Sequence, residues 1–557
     1  MNVQSLIHVA LLLLAATSVQ AAPPSTNLVT VPGLNLRHAA GFKFTQYAGP
    51  GWAHEIRSMT LDSEGRVVAS GRGWIRRLED SDSDGVVDKA TEIASPKTAA
   101  SGMVFVGNDL YALVDGSLSR FLDPDGDGVA DGAPQRFFEF AHGNEGAQML
   151  RRGADGAWYV MVGRRARLAS AHWNFPGSPI RQPDAGALLQ ISPDLSRSQV
   201  IAQGFLHAAD FDFHPLGPLF TYDRGDLSDA FLPWQVFPRL YQIAMGGHHG
   251  WRDEGYGNAW SLADHHPDLV PPIWSANRLD PSALAFYRHH QFPTEMRGSL
   301  LIADREHGAI WVAKTTPFQS GFTVTMNPLV ESNGRNGWMP SALAIGKDGS
   351  LFIATEGRGP SGGIFRLEYT LLDPSTGRLP DQPAPYLSNF DRVLRAPQRL
   401  EAWSRNQWVP LALREGRRPF EQVAMSLGDP EEHKLVAIDV LTELFGGLGQ
   451  KEANITAKSV SASVRARTAW SINRYPFHGS LVVLQELLRD ESPLVRAAAL
   501  EVYRDHAGTI PPLELLRVAS SHLGHEDQRV RTTAIGLAAR LPETEWNQLL
   551  AGTPQSP

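Results

Sequence analysis

The sequence predicts a mainly β fold, a six-bladed β-propeller, followed by a small all-α solenoid with HEAT-like repeats. One hairpin form recurs six times: an apolar stretch, a turn with Gly or Asp, and a second apolar stretch. A further short strand follows each hairpin, so the chain contains six units of about four strands, which fits a six-bladed propeller. After about residue 370 this pattern stops, and segments with a 3.6-residue apolar period follow.

The N-terminal segment is typical of a secretory signal. Its apolar run, residues 5–16, is too short to span a bilayer. Val19 and Ala21 supply the small residues of a cleavage site after Ala21. No Lys or Arg precedes the run, and a buried N-terminal helix is the alternative. We expect residues 1–21 to be a signal peptide and the protein to be exported.

The amino-acid composition limits the possible cellular locations and binding partners of the protein. The chain has 557 residues, no cysteine and a formal net charge of -8. The lack of cysteine excludes disulfides, thiolate metal sites and covalently attached c-type haem, and in an exported protein it indicates a bacterial periplasmic or extracellular location. The acidic balance argues against nucleic acid or an anionic membrane surface as the main partner, and no transmembrane span is expected.

The six hairpins place the propeller at residues 22–370. Alternating, β-branched and aromatic residues around Gly- or Asp-containing turns are typical of hairpins. The hairpins begin at Met59, Met103, Met149, Phe211, Ala283 and Ala342, and the strands that follow them read WIRRLE, SLSRFL, ALLQIS, RLYQIA, AIWVAK and GIFRLE. Irregular spacing predicts long loops around residues 165–185 and 246–280.

Two acidic loops are nearly identical and follow equivalent strands of the first two blades. They read EDSDSDGVVDK from Glu79 and LDPDGDGVADG from Leu122. Each places aspartates at positions 1, 3, 5 and 9 of a calcium-loop pattern, with a glycine at position 6 for the turn. The candidate calcium ligands are Asp80, Asp82, Asp84, Asp88, Asp123, Asp125, Asp127 and Asp131. The glutamate of position 12 is missing, so neither loop is a complete EF-hand, and a solvated Asp/Gly turn is the alternative. Structural calcium would stabilise the outer edges of both blades.

Charged residues recur at the corners where the first hairpins end, which in a propeller share one face near the axis. They are Arg72, Asp115, Arg164, Asp223, Arg224, Asp304, Arg305, Glu356 and Arg358. The segments leading into the blades add His54, Glu55, Arg57, His142, Glu145, Gln148, His207, Asp210 and Asp280. Such a funnel suits a small polar or anionic ligand, and a histidine beside carboxylates can act as a general base. Propeller mouths are polar in any case.

Three pairs of adjacent histidines begin at His248, His265 and His289. Neighbouring residues of a strand point to opposite faces, so such a pair is a poor chelate, and we interpret these as loop or surface histidines. His248 lies within GGHHGW, whose glycines would bring the backbone close to a ligand at the mouth. The sequence has no G-x-S-x-G, P-loop or H-E-x-x-H motif.

The C-terminal part is predicted to be helical. A Pro-rich linker is expected at residues 371–390 and helices at residues 391–557. The dipeptides Val464-Arg465, Val495-Arg496 and Val530-Arg531 recur at spacings of 31 and 35 residues. This indicates a HEAT-type solenoid, with an irregular helical bundle as the alternative. The solenoid is a candidate surface for a protein partner.

The blades resemble the soluble quinoprotein glucose/sorbosone dehydrogenase superfamily, and above all a group of secreted bacterial propellers that carry HEAT repeats. The segments LEDSDSDGVVDK, RRGADGAWYVMVG, PLFTYDRGDLSDAFLPWQVFPRLYQIAMGGHHGWR and ATEGRGPSGGIFRLEY carry this resemblance, which covers roughly residues 40–370. It implies a propeller that binds pyrroloquinoline quinone (PQQ) with calcium at its mouth and oxidises a sugar or related alcohol. The cofactor-binding candidates at this mouth are Arg164, His207, Arg224, His248 and Arg305, of which Arg305 matches a basic quinone contact of these enzymes.

The sequence departs from these enzymes at several positions. Their catalytic base is a histidine shortly before the G-x-D-G turn of the third blade. Here that place falls on Glu145, with His142 three residues earlier, so either residue is a candidate. An Arg-Asn pair that leads into their fourth blade is replaced by Leu206 and His207, and arginines leading into the last blade are replaced around residues 338–340. No cytochrome motif follows, so another electron acceptor is expected.

Two functions therefore stay open. The first is a PQQ-dependent dehydrogenase of the glucose/sorbosone type. The second is a non-catalytic protein that binds a glycan at the mouth or a protein partner through the solenoid. A lactonase-type hydrolytic propeller is a third reading, but it needs several carboxylates and an Asn on the axis, and the segments leading into the blades supply few of them.

Overall fold

The structure, a computed structural model, shows a six-bladed β-propeller followed by an α-helical solenoid, as the sequence predicts. It describes residues 28–140, 146–164, 166, 168–172, 178–180, 183, 185–225, 237–252, 269–275, 279–333, 337–356, 362–371 and 388–552. Residues 1–21 and most of the expected linker lie outside the described residues.

The described part of the propeller contains 26 strands, and all of their pairings are antiparallel. They are β1 (Leu28–Val31), β2 (Leu36–Ala39), β3 (Phe42–Ala48), β4 (Ser58–Leu61), β5 (Val67–Gly71), β6 (Trp74–Glu79), β7 (Lys89–Ala94), β8 (Met103–Val106), β9 (Asp109–Val114), β10 (Ser117–Phe121), β11 (Gln135–Glu139), β12 (Ala147–Arg152), β13 (Trp158–Val162), β14 (Gly186–Ile191), β15 (Ser198–Phe205), β16 (Ala208–Phe213), β17 (Leu219–Asp223), β18 (Arg239–Gln242), β19 (Trp274–Ser275), β20 (Pro281–Phe286), β21 (Leu300–Asp304), β22 (Ala309–Phe318), β23 (Gly321–Ser332), β24 (Pro340–Ile345), β25 (Leu351–Thr355) and β26 (Gly363–Tyr369). Blades one to five start at β4, β8, β12, β16 and β20, each with four consecutive strands, and blade six contains β24 to β26.

The first strands of the six blades contact one another in a closed ring around the central axis. We call the face where these strands begin the mouth and the opposite face the base. The second strands β5, β13, β17, β21 and β25 are buried at every residue. Short, continuously apolar runs suit this position because neighbouring blades cover both faces of the strand.

An N-terminal strand closes the ring. Strand β3 pairs with β26 as the outermost strand of blade six, for example at Phe44 and Leu367. Strand β2 pairs with β23 and strand β1 with β2, which extends blade five to six strands. The two ends of the propeller are thus joined by a ladder of backbone hydrogen bonds, in which β3 covers the edge of β26.

The two acidic loops connect β6 to β7 and β10 to β11, the outer hairpins of blades one and two, as predicted. Each loop also bonds to the outermost strand of the preceding blade. Val87 N donates to Tyr47 O at 2.9 Å, and Ala130 N donates to Ile93 O at 2.9 Å. In the second loop, Gly128 has a φ of 89°, a left-handed conformation that favours glycine, and it lies against the Arg77 guanidinium of blade one. The loops therefore link blade one to blade six and blade two to blade one.

Eleven α-helices form the described C-terminal part. They are α1 (Asn389–Leu394), α2 (Ala402–Glu415), α3 (Arg417–Met425), α4 (Glu431–Phe445), α5 (Gln450–Thr456), α6 (Ala462–Arg474), α7 (Ser480–Leu487), α8 (Pro493–Asp505), α9 (Pro512–His522), α10 (Gln528–Ala538) and α11 (Glu543–Gly552). Helix α1 begins two residues before the expected start of the helical region. Helices α4, α6, α8 and α10 stack in sequence, which is the arrangement of a solenoid.

The recurring Val-Arg dipeptides occupy equivalent places in α6, α8 and α10. The three valines are fully buried in the solenoid core. Each arginine donates to the carbonyl oxygen of the residue six positions earlier, in the loop before its helix. The dipeptide thus combines a core contact with a bond to the connecting loop, which explains why it recurs once per repeat.

The solenoid packs on the base of the propeller. Trp403 of α2 is buried among residues of blades one and six, and its indole N–H donates to Ile345 O at 3.3 Å. Farther along the solenoid, Arg474 pairs with Asp155 of blade three. Helix α10 reaches blade five, where the Ser320 hydroxyl donates to the Asp527 carboxylate at 2.8 Å. No helix among the described residues has the length and apolarity needed to cross a membrane.

Candidate functional site

The central channel is narrow, and the segment leading into α2 lies at its base end. Its free volume is about 70 Å³, and Leu400, Glu401 and Ala402 of the segment leading into α2 line it together with the first strands of the blades. Asp210 lies inside this channel and accepts hydrogen bonds from Arg151 at 3.0 Å and from Leu284 N at 2.8 Å. Burial raises the pKa of Asp210. This residue therefore belongs to the channel wall and not to the polar mouth where the sequence placed it.

Arg57 lies at the mouth end of the channel. Its guanidinium donates to the Gln148 side-chain oxygen at 3.1 Å, and its backbone N–H donates to Ser70 O. No described carboxylate lies within ion-pair distance of it. Burial lowers the pKa of Arg57, and the nearby Arg305 and Arg224 lower it further, whereas Glu356 opposes this change. The mouth thus holds a half-buried cation with an amide as its side-chain partner.

Arg224 and Arg305, two predicted cofactor-binding residues, lie together beside Arg57. Arg224 pairs with Asp280 at 2.8 Å, and Arg305 pairs with Glu356 at 3.2 Å and with Asp280 at 3.5 Å. The Nε atoms of Arg224 and Arg305 are buried and make no hydrogen bond with described residues. Asp280 thus bridges two arginines, and the cluster retains buried donors for a further acceptor.

Two of the charged corners have a structural role. Asp223 is fully buried and accepts backbone N–H bonds from Leu206 at 2.8 Å and His207 at 2.6 Å. Burial raises its pKa to about 7. Asp304 is also buried and accepts a bond from the backbone N–H of Asp280 at 3.0 Å. Both aspartates hold the segments that lead into the next blade, so they position mouth residues and do not line the funnel themselves.

The other predicted cofactor-binding residues, Arg164, His207 and His248, make contacts outside the arginine cluster. Arg164 stacks over the Trp251 ring, with its guanidinium carbon 5.9 Å from the ring centre. His207 is held through its backbone by Asp223, and His248 accepts from Gly250 N at 3.0 Å. Arg164 therefore contacts the loop that contains His248, whereas Arg224 and Arg305 meet Arg57.

His249, one of the histidines interpreted as loop or surface residues, lies in a loop but not at the surface. This ring is fully buried and stacks on Phe205 at 4.4 Å. Its Nδ1 donates to Gln203 O at 2.8 Å, and burial lowers its pKa to about 3, so it is neutral. The apolar packing of the glycine-rich loop against blade three accounts for the difference. His265 lies outside the described residues.

The two candidate catalytic residues, His142 and Glu145, lie outside the described residues, as does Arg358. Gln148, which lies shortly after them at the start of blade three, is buried, and its amide N–H donates to Gly146 O at 3.0 Å. The assignment of His142 and Glu145 as candidate bases therefore rests on the sequence.

A cavity of about 390 Å³ opens at the mouth between blades one and two. Arg57 and Gln148 line both this cavity and the channel below it. Arg72, Lys97 and Asp115 form further parts of its wall. The sequence analysis missed Lys97, because this residue lies in the segment before β8 and does not follow the corner pattern. A search of every segment that leads into a blade for cations would have found it.

The acidic loops bring six of the eight predicted calcium ligands together. Carboxylate oxygens of Asp80, Asp82 and Asp88 lie within 4.8 Å of one another, and those of Asp123, Asp125 and Asp127 do the same. Asp84 and Asp131 are not part of these groups. Burial, together with the neighbouring Asp127 and Asp125, raises the pKa of Asp123, although backbone N–H bonds from Gly128 and Gly126 oppose this shift. Oxygen clusters of this type suit a hard cation such as Ca²⁺.

Comparison with known proteins gives one family and several related folds. Residues 48–194 match DUF7133, a domain of unknown function. This range covers blades one and two and part of blade three. No curated protein matches the sequence.

Several solved structures are similar to the propeller part. The PQQ domain of pyranose dehydrogenase from Coprinopsis cinerea, in its holo form, is 13% identical with a TM-score of 0.47, and the match covers 61% of this chain and 98% of that one. The PQQ-bound aldose sugar dehydrogenase from Streptomyces coelicolor is 18% identical with a TM-score of 0.43, covering 59% and 99%. A calcium structure of a Trichoderma reesei carbohydrate-active enzyme of family AA12 is 16% identical with a TM-score of 0.47, covering 62% and 99%.

Proposed function

We propose that the propeller mouth binds PQQ, a planar tricarboxylate, and that the protein oxidises a sugar or related alcohol there. The observation that carries this proposal is Arg57, a half-buried cation that has no carboxylate partner among the described residues. A buried charge without a counter-ion is costly, so a bound carboxylate that reaches it gains a strong charge-assisted hydrogen bond. An export signal at residues 1–21 would place the reaction in the periplasm or outside a bacterial cell.

The mouth residues fit such a cofactor. Arg57, Arg224 and Arg305 would hold its carboxylates, and the buried Nε atom of Arg224 has no hydrogen-bond partner among the described residues. A bound quinone supplies an acceptor for the hydride of the substrate C–H bond. The hydroxyl proton would pass to His142 or Glu145, which the sequence places near this mouth. Two electrons would then leave to an external acceptor.

One observation favours the second candidate function, a non-catalytic propeller that binds a glycan at the mouth or a protein through the solenoid. Arg224 and Arg305 already have carboxylate partners in Asp280 and Glu356. A cofactor would have to share these arginines with them. A neutral sugar would leave both ion pairs intact.

Titration of the purified protein with PQQ in calcium-containing buffer decides between the two functions. We expect stoichiometric binding in the absorption spectrum of the quinone, followed by bleaching when a sugar substrate is added. Arg57→Gln removes a charge-assisted contact of roughly 1.5–3 kcal/mol and should weaken PQQ binding roughly 10- to 100-fold. Arg136→Gln, at an exposed position on the outer strand of blade two, is the matched control and should bind as the parent does.

Absence of binding at about tens of micromolar PQQ, which would fill a site with a micromolar dissociation constant, contradicts the dehydrogenase and leaves the non-catalytic binding protein. If PQQ binds, His142→Ala and Glu145→Gln identify the base. The variant that lacks the base should retain PQQ and lose sugar-dependent bleaching.

We also propose that the acidic loops bind Ca²⁺ in a structural role. Three aspartates converge in each loop, and each loop bonds to the preceding blade. Bound calcium would therefore strengthen the links between blades six, one and two.

Removal of calcium should lower the melting temperature. A ligand at 100 times its dissociation constant stabilises the folded state by about 2.7 kcal/mol per site, and a chelator removes this contribution. Asp80→Asn and Asp123→Asn should each lose part of the calcium-dependent increase, whereas Glu64→Gln, at an exposed turn of blade one, should retain it. Equal melting temperatures of the parent protein with calcium and with chelator would identify the loops as metal-free turns.

A further inference from the structure

The mouth cavity between blades one and two carries cations that the structure does not neutralise. Arg72 and Lys97 line this cavity of about 390 Å³, and both side chains are exposed. Among the described residues neither side chain has an ion pair or a hydrogen bond. They differ in this respect from Arg224 and Arg305, which have carboxylate partners.

The same wall contains two carboxylates, Glu55 and Asp115, and Asp115 is engaged by the backbone. Asp115 accepts bonds from the backbone N–H of Thr98 at 2.9 Å, from the Thr98 hydroxyl at 3.0 Å and from the backbone N–H of Lys97 at 3.3 Å. Its charge fixes the backbone of the segment that contains Lys97, while the ammonium group of Lys97 stays available. Asp115 has a positive φ of 50°, a conformation that the bonds to this segment help to hold.

The walls of the cavity define the chemistry of a matching ligand. Arg72 and Lys97 can bind a carboxylate of the ligand. The lone pairs of Asp115 that accept no protein hydrogen bond can accept hydrogen bonds from hydroxyl groups of the ligand. Leu113, Ala99 and Ala147 add apolar surface for a C–H face. The volume lies at the lower end of the range for small-molecule sites, roughly 300–1,000 Å³. A small molecule with one carboxylate, several hydroxyls and an apolar face has this combination.

We propose that this cavity binds an acidic monosaccharide, a uronic or aldonic acid, and that Arg72 and Lys97 hold its carboxylate. As the assignment of a substrate class, the inference rests on the proposed function. As the assignment of a binding site, it stands on the cavity alone. Arg57 lines both the cavity and the channel, so the sugar would lie next to the place proposed for the cofactor.

Isothermal titration of the purified protein with D-glucuronate, and separately with D-glucose, tests the site. Glucuronate should bind at least tenfold more tightly than glucose, and the difference should shrink in high salt because exposed charges are screened. Arg72→Gln and Lys97→Gln should each lower the affinity for glucuronate about tenfold and leave that for glucose unchanged. Arg72→Lys should retain most of the affinity, and Arg136→Gln should retain all of it.

The inference is overturned if glucose binds as tightly as glucuronate, if neither sugar binds, or if both charge-removing variants bind glucuronate as the parent does. A separate titration with PQQ distinguishes this failure from failure of the proposed function. Glucuronate binding without PQQ binding supports the sugar-acid site and contradicts the proposed dehydrogenase function. PQQ binding with turnover of neutral sugars and no preference for acids removes the sugar-acid site and supports the dehydrogenase.

Discussion

Trp403→Ala is expected to destabilise the propeller together with the solenoid, by about 3–5 kcal/mol. The indole is 1% exposed and packs in the same core as Met59 and Leu61 of blade one and Phe352 of blade six. Its N–H donates to Ile345 O at 3.3 Å. Truncation therefore leaves a large cavity and a lost hydrogen bond at the place where the first blade meets the last. Thermal unfolding followed by circular dichroism in the far and near ultraviolet measures the effect.

Trp546→Ala is the control for this substitution, because Trp546 of α11 is 39% exposed and its loss should change stability by less than about 1 kcal/mol. A Trp403→Ala protein in which the helices melt early while the propeller signal keeps its transition would show that the two regions fold independently, contrary to this expectation.

Arg474→Met should cost about 3–5 kcal/mol of folding free energy, because it leaves a buried carboxylate without its cation. Asp155 is 6% exposed and accepts from Arg474 Nε at 3.1 Å, from the Tyr159 hydroxyl at 2.8 Å and from the Gln190 amide at 3.1 Å. Arg474 is the only cation with an ion pair to Asp155 among the described residues. Urea unfolding at neutral pH gives the change in stability.

A double-mutant cycle separates the pair from its surroundings. Asp155→Asn combined with Arg474→Met should be less destabilised than the sum of the single variants, since the second change removes the uncompensated charge. Arg489→Met, at an exposed position after α7, is the matched control and should be nearly neutral. Additive effects of the two single variants would show that the ion pair does not couple the solenoid to blade three.

The blades could be predicted from the sequence because each hairpin is local, and its alternation and turn residues lie within a short window. The closure could not. Strand β3 pairs with β26, for example Phe44 with Leu367. A local sequence pattern does not indicate a pairing partner so far along the chain. The addition of β1 and β2 to blade five is likewise a long-range pairing.

The candidate site was predicted in part for a comparable reason. The propeller topology predicts that Arg224, Arg305 and Glu356 lie at the same mouth, and in the structure these side chains lie close together. Side chains alternate along a strand, so Asp223 at the end of β17 is buried while Arg224 beside it reaches the mouth. The corner pattern could not separate these two neighbours. Whether a cation such as Arg57 has a counter-ion depends on packing between blades, which a single sequence does not reveal.

The solenoid repeats were visible in the sequence because one valine per repeat must be buried and one arginine must bind the loop before it. The docking on the propeller was not visible. It depends on single residues such as Trp403 and Arg474, which contact partners in other blades and follow no repeat.

The segment at the base of the channel has a consequence for how a substrate and a product would enter and leave the propeller. The segment that leads into α2 lines the channel at its base end, so the proposed reaction site would be reached from the mouth. A substrate entering the proposed site and a product leaving it would therefore compete for the same opening.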